Sequence, residues 1–319
     1  METACREYDS AILRLAGAAN LDIEISLPMR IATIVSTCMS AVLVSAGAQP
    51  ARMARDIEYG QAGGTSLRLD ACVPEGPGPF PVAILIHGGG WTTGDKGGSN
   101  HPGDSADISP WFAPLTAAKF TWFSINYRLA PANPWPACFE DVQTAIRWVK
   151  AHAAEYRGDP TRIALFGHSA GGQLACLAGT GDGADTRVQA VVGFAPVTDF
   201  ELELPLRHGV WSSVQNLLGC PQGFTPEALA LLPALSPVNH VRPGLPPFLI
   251  VQGDADRTVP VQESRNFVDR LRAAGVPCDL VLIPGAPHRL LSWTECDPTY
   301  PDRVTAWLRR TLGVTLPAP

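Results

Sequence analysis

Ser169 stands in Gly167-His168-Ser169-Ala170-Gly171-Gly172, the stretch whose residue types and spacing point most directly to chemistry. The apolar run Ile163-Ala164-Leu165-Phe166 precedes it, and Gln173 to Ala178 reads as a helix. Strand, sharp turn and helix form a nucleophile elbow, which exposes the hydroxyl of the serine at its tip. Such a turn strains the backbone at the serine, and the glycines two before and two after it keep neighbouring side chains out of the way. The alternative is a glycine-rich turn without chemistry, and the partners of the serine discriminate between the two.

A serine hydroxyl attacks only when a base takes its proton and an acid orients the base. Both are present, in the order Ser, Asp, His. Gln252-Gly253-Asp254-Ala255-Asp256-Arg257-Thr258-Val259-Pro260 follows the apolar run Phe248 to Val251, and Pro284-Gly285-Ala286-Pro287-His288 follows Leu280 to Ile283. Each candidate therefore sits past the carboxyl end of a strand, on the rim that carries Ser169. Asp256 is favoured as the acid, with Asp254 assigned to its own loop backbone. His288 is favoured as the base over the other six histidines, with His240 next. His168 is assigned to packing or to support of the site. His87-Gly88-Gly89-Gly90-Trp91 directly follows the strand Val82 to Ile86. Unobstructed backbone N–H groups at Gly88 or Gly89, with that of Ala170, suit an oxyanion. Trp91 and His168 are candidates for the substrate pocket. The glycine loop lacks the Lys-Ser/Thr ending of a phosphate loop. No Cys or His spacing suggests a metal, and no cofactor is expected.

These residues need a scaffold that delivers strand ends to one rim. Strands at Leu67–Val73, Val82–Ile86, Phe120–Ile125, Ile163–Phe166, Ala190–Phe194, Phe248–Val251 and Leu280–Ile283 alternate with helical patterns at Asp141–Ala154, Glu263–Ala274 and Pro301–Leu312. That order predicts an α/β fold, a mostly parallel central sheet with helices on both faces. Leu67–Val73 alternates as a half-exposed edge strand does, and Val82–Ile86 is apolar throughout, as in a central strand. Residues 200–247 break the alternation and read either as a small lid insertion or as a long helical crossover.

With 319 residues, 46% hydrophobic and 17% charged, the chain can bury a large core in one domain. The net charge of −6 without a basic block argues against a nucleic-acid partner. Met29-Arg30, the apolar run Ile31 to Val44 and Ser45-Ala46-Gly47-Ala48 have the form of a signal peptide. The expectation is an upstream extension over 1–28, a signal peptide over 29–48 and a catalytic domain over 49–319, secreted or periplasmic and without a stable membrane anchor. The alternative for the N-terminus is an amphipathic helix. The chain from Gln49 onward retains Cys72, Cys138, Cys176, Cys220, Cys278 and Cys296, a number that permits disulfides but a spacing that identifies no pair. Cys176, in the helix after the serine, reads as a buried thiol.

Together these motifs resemble the α/β-hydrolase superfamily over most of residues 57–313. His87 to Trp91, Tyr127-Arg128-Leu129-Ala130-Pro131 and Gly167 to Gly172 resemble segments of the hormone-sensitive-lipase-like carboxylesterases. That group has Asp where this chain has His168, and commonly Asp-Pro-Leu-x-Asp where this chain has Asp254 to Pro260. The combination is more similar to the bifunctional feruloyl and acetyl-xylan esterases and their kynurenine-formamidase-like relatives. The resemblance implies an α/β-hydrolase fold, a triad of Ser169, Asp256 and His288, an oxyanion hole at Gly88 and Gly89, and a buttressing role for Tyr127 to Pro131. It implies a serine carboxylesterase acting on short-chain, acetyl or feruloyl esters of small molecules or polysaccharides. An amide hydrolase on the same scaffold and, more remotely, a non-catalytic binding protein are the alternatives.

Overall fold

The computed structural model describes residues 50–98, 108–202 and 211–314. Eight strands form one sheet: β1 (Arg52–Ala62), β2 (Thr65–Val73), β3 (Phe80–Ile86), β4 (Thr121–Ile125), β5 (Gly158–His168), β6 (Ala190–Phe194), β7 (Phe248–Gly253) and β8 (Cys278–Ile283). Their spatial order is β1-β2-β4-β3-β5-β6-β7-β8. β2 pairs antiparallel with β1 and with β4, and every pairing from β4 across to β8 is parallel. The principal helices are α1 (Phe112–Ala117), α2 (Ala137–His152), α3 (Ala170–Thr180), α4 (Trp211–Leu217), α5 (Val261–Ala273) and α6 (Tyr300–Thr311).

The continuous apolar strands are explained by what covers them. Side chains alternate across a strand. Val82, Ile84, Ile86, Ile163, Leu165, Phe248 and Ile250 enter one core with Val142 and Ile146 of α2, Leu174 of α3 and Phe267 of α5. Ala83, Leu85, Ala164, Phe166, Leu249 and Val251 enter a second core with Leu115 of α1, Trp293, and Val304 and Leu308 of α6. Helices thus pack on both faces, and the parallel strands deliver their carboxyl ends to one rim.

One expectation is corrected. Leu67–Val73 is not an edge strand: it lies inside β2, paired on one side with β1 and on the other with β4. Its polar alternation persists because Asp70, 2% exposed, is held by Lys96 at 3.0 Å. The true edge, β1, carries Arg52, Arg55, Asp56 and Glu58 on a mostly exposed ribbon with two register shifts. A strand built on cross-strand pairing alone has no apolar period to read. The six cysteines from Cys72 to Cys296 are free thiols, with Cys138 and Cys176 buried. The expectations for 1–28 and 29–48 lie outside the described residues.

Candidate active site

Ser169 ends the turn between β5 and α3 with φ 56° and ψ −120°, a strained conformation for a residue with a side chain. The turn closes because its neighbours have no Cβ. A Cβ on Gly167 would lie 2.0 Å from the Gly171 carbonyl oxygen, and one on Gly171 would lie 2.2 Å and 2.4 Å from the carbonyl oxygens of Ile86 and His87. Gly171 therefore lets the first turn of α3 sit directly on the end of β3, which brings the N–H of Ala170 beside the loop that begins at His87. The Ser169 N–H is anchored on the Phe194 carbonyl at 2.9 Å, leaving the hydroxyl as the free end of the residue.

His288 and Asp256 converge on that hydroxyl. His288 Nε2 is 2.9 Å from Ser169 Oγ, and its Nδ1 is 2.7 Å from Asp256 Oδ2. A carboxylate only accepts, so Nδ1 carries the proton, and Nε2 is left to accept from the serine. Ser169 and His288 are 8% and 6% exposed. The two loops meet at Gly253, where a Cβ would strike the Ala286 carbonyl oxygen at 2.2 Å. Ala255 N–H donates to that same oxygen at 3.1 Å, and Asp254 Oδ1 accepts from Gly285 N–H at 2.6 Å. Asp254 is thus bonded to its own loop, and Asp256 is the carboxylate beside His288. Burial alone would raise the Asp256 pKa. The bond from His288 and the N–H groups of Val259 and Thr258 outweigh it and hold the carboxyl below its ordinary range.

The loop after β3 turns its carbonyls into the protein. Tyr127 Oη donates to the carbonyls of His87 and Gly88, at 3.0 and 3.3 Å, and the Gly89 carbonyl accepts from the N–H groups of Thr92 and Thr93. Gly89 has φ +100°, and a Cβ there would lie 2.2 Å from the Thr93 carbonyl oxygen. The N–H groups of Gly88, Gly89 and Ala170 meet no acceptor among the described residues, the arrangement an oxyanion requires. Burial pushes the Tyr127 phenol well above its ordinary range, so it remains a neutral donor to this loop. Ala130 N–H donates to the Trp91 carbonyl at 2.9 Å, so the Tyr127–Pro131 segment buttresses the loop at two points.

Trp91 and His168 do not line an open pocket. Trp91 is 1% exposed; its indole N–H donates to Gln173 Oε1 at 3.0 Å, and its ring packs 5.5 Å from that of Phe200. It belongs to the core under the glycine loop. His168, fully buried, places Nε2 2.9 Å from the carbonyl oxygen of His288 and so holds the base's own backbone. His240, the second choice of base, bonds the Ala234 carbonyl and takes no part in the site. In the segment between β6 and β7, the described residues 211–240 form short helices that approach α3 and the glycine loop. Leu235 accepts from Gln173, and Ser213 Oγ lies 2.9 Å from where a Cβ on Gly90 would stand.

Gln252 escaped the sequence reading. It ends the buried strand β7, is fully buried, and donates to Asp256 Oδ2 at 2.9 Å. A polar side chain closing an apolar strand at the catalytic rim was the available signal.

Comparison with known proteins places this geometry. The BD-FAE family model matches residues 69–271. The probable carboxylic ester hydrolase LipM of Mycobacterium tuberculosis is 40% identical over 61% of this chain and 46% of its own length. The chain spans about half the length of LipM and of the related esterases LipC and LipQ of that organism. Among solved structures, a truncated carbohydrate esterase from gut microbiota superposes with a TM-score of 0.68 at 26% identity, over 82% of this chain and 96% of that one. Esterase Est2 of Thermogutta terrifontis, bound to propionate, superposes with a TM-score of 0.65 at 26% identity, over 83% and 97% of the two chains. The sheet described above is thus an α/β-hydrolase fold.

Proposed function

This chain belongs to the BD-FAE family, and from that premise we propose that it is a serine carboxylesterase acting on short-chain or acetyl and feruloyl esters. The observation that carries the proposal is the continuous chain Ser169 Oγ, His288, Asp256, at 2.9 and 2.7 Å, beside a loop whose Gly88 and Gly89 N–H groups meet no acceptor among the described residues. Est2, solved with propionate, and the carbohydrate esterase support a small acyl group and a sugar alcohol as the substrate class.

In this mechanism Ser169 Oγ bonds to the ester carbonyl carbon while its proton passes to His288 Nε2. The carbonyl oxygen becomes an oxyanion and receives the N–H groups of Ala170 and of Gly88 or Gly89. Collapse of the intermediate breaks the bond to the alkoxy oxygen, which leaves as the alcohol with the proton from Nε2. A water then gives a proton to Nε2 and attacks the acyl carbon. Ser169 regains its proton as the carboxylic acid departs. Asp256 stays ionised throughout and balances the imidazolium.

Purified protein is expected to hydrolyse p-nitrophenyl acetate and to take a fluorophosphonate label at Ser169, and Ser169→Ala to lose both while keeping its melting temperature. An active alanine variant would overturn the assignment. A panel of acetyl-xylan, feruloyl, formamide and peptide substrates tests the acyl class; preference for the amides would move the chain to the amide hydrolases. We also propose export, on the Met29 to Ala48 pattern. Mature protein is expected to begin at Gln49, and a mature N-terminus upstream of Met29 would refute it.

A further inference from the structure

We propose that Gln252, locked by Ser264, is a positioning residue for Asp256 that sets the pH at which the His288–Asp256 pair becomes active; this rests on the triad reading above. The amide of Gln252 is fully satisfied and can take only one orientation. Its Nε2 donates to Asp256 Oδ2 at 2.9 Å and to the Val259 carbonyl at 3.2 Å, and its Oε1 accepts from Ser264 Oγ at 2.8 Å. Two acceptors on one side and a hydroxyl donor on the other forbid the flipped amide. Gln252 and Ser264 are both fully buried, so water does not compete for these bonds.

The placement has a consequence for the acid. Asp256 Oδ1 is filled by the N–H groups of Thr258 and Val259, at 2.7 and 3.0 Å. Oδ2 is the oxygen that His288 uses, and Gln252 shares it. All of the carboxylate's acceptor directions are thereby assigned, and rotation about its last bond would break four hydrogen bonds. Sharing Oδ2 also draws electron density away from the contact with His288. A carboxylate with one donor fewer holds an imidazolium more tightly, so the base keeps its proton to higher pH.

The other titratable groups near the pair are committed elsewhere. The ring of His168 lies 4.9 Å from that of His288 and bonds the His288 carbonyl. Asp254 accepts from Gly285 N–H, and Glu263, beside Ser264 on α5, accepts from the N–H groups of Thr198 and Asp199. Gln252 is the side-chain donor, apart from His288 itself, that reaches Asp256 among the described residues.

The test is the pH profile of kcat/KM on p-nitrophenyl acetate together with the proton resonance of His288 Nδ1–H followed against pH. For Gln252→Met, the acid limb and the midpoint of the resonance are expected to move to higher pH by roughly 0.5 to 1 unit, the scale of one hydrogen bond to a carboxylate. kcat is expected to fall about tenfold with KM within about twofold of wild type, the pattern of a lost transition-state interaction. Ser264→Ala should shift both readouts in the same direction by less, and Ser264→Thr, which keeps the hydroxyl, should restore them. A folded Gln252→Met with a wild-type profile and resonance would overturn the proposal. If Gln252→Met does not fold, Ser264→Ala decides by the same readouts. Failure of the esterase reading looks different: wild type would then turn over no ester, while the resonance would still report whether Gln252 acts on the pair.

Discussion

Asp256 is the residue whose environment has the clearest energetic sign. Its folded pKa lies below the ordinary value despite burial, because His288 and two backbone N–H groups favour the ionised form. Its contribution to stability is therefore fully present above the unfolded pKa of about 3.9 and is lost as pH falls through the lower folded value. Melting curves of wild type and Asp256→Asn are expected to differ by a steady gap down to about pH 4 and to converge below it. In activity the same variant should lose about 10⁴-fold in kcat, because an asparagine leaves His288 in the wrong tautomer. The thiols give a second check. Burial pushes Cys138 up to about 12 and Cys176 higher still, whereas Cys296 is exposed. A thiol reagent is expected to modify Cys296 in the folded protein and to reach Cys138 and Cys176 only on unfolding.

At the scale of elements, the decisive contact is α3 against the end of β3. The two approach within the radius of a methyl group at Gly171. Gly171→Ala places a carbon against the carbonyl oxygens of Ile86 and His87, which are backbone atoms and cannot swing aside. The first turn of α3 must then lift off β3 and carry the Ala170 N–H with it. The expected result is a loss of about 10²-fold or more in kcat, the cost of one misplaced oxyanion donor, with KM affected less. The β7 and β8 loops meet in a comparable way at Gly253, and Ser213 approaches Gly90. Strand ends, helix start and crossover thus come together at glycines.

Across the whole molecule, Lys96 ties the exposed edge to the site-bearing loop. It follows the glycine loop, pairs with Asp70 of β2 at 3.0 Å and with Asp56 of β1 at 2.9 Å, and is itself only 8% exposed. Lys96→Met removes the nearer cation from the buried Asp70 carboxylate, leaving it the Asp56 N–H at 2.9 Å and the exposed Arg55 at 3.8 Å, and is expected to cost about 3 kcal/mol or less in denaturant unfolding. The central strands, the order of Ser169, Asp256 and His288 and the glycine loop were legible because each rests on local chemistry: apolar runs, turn residues, a small residue beside a nucleophile. β1 was not, because its pairing partner rather than its own side chains makes it a strand. Nor were the partners of Trp91 and His168, which stand 82 and 120 residues away along the chain. The amino-acid sequence by itself determined which groups could react and on which rim of an α/β sheet they stand. Only the tertiary structure brought Asp256 to 2.7 Å from His288, set His168 against the His288 carbonyl and joined Gln252 to Asp256. Those placements depend on hydrogen bonds across loops, whose directions exist only once strands far apart in sequence lie side by side.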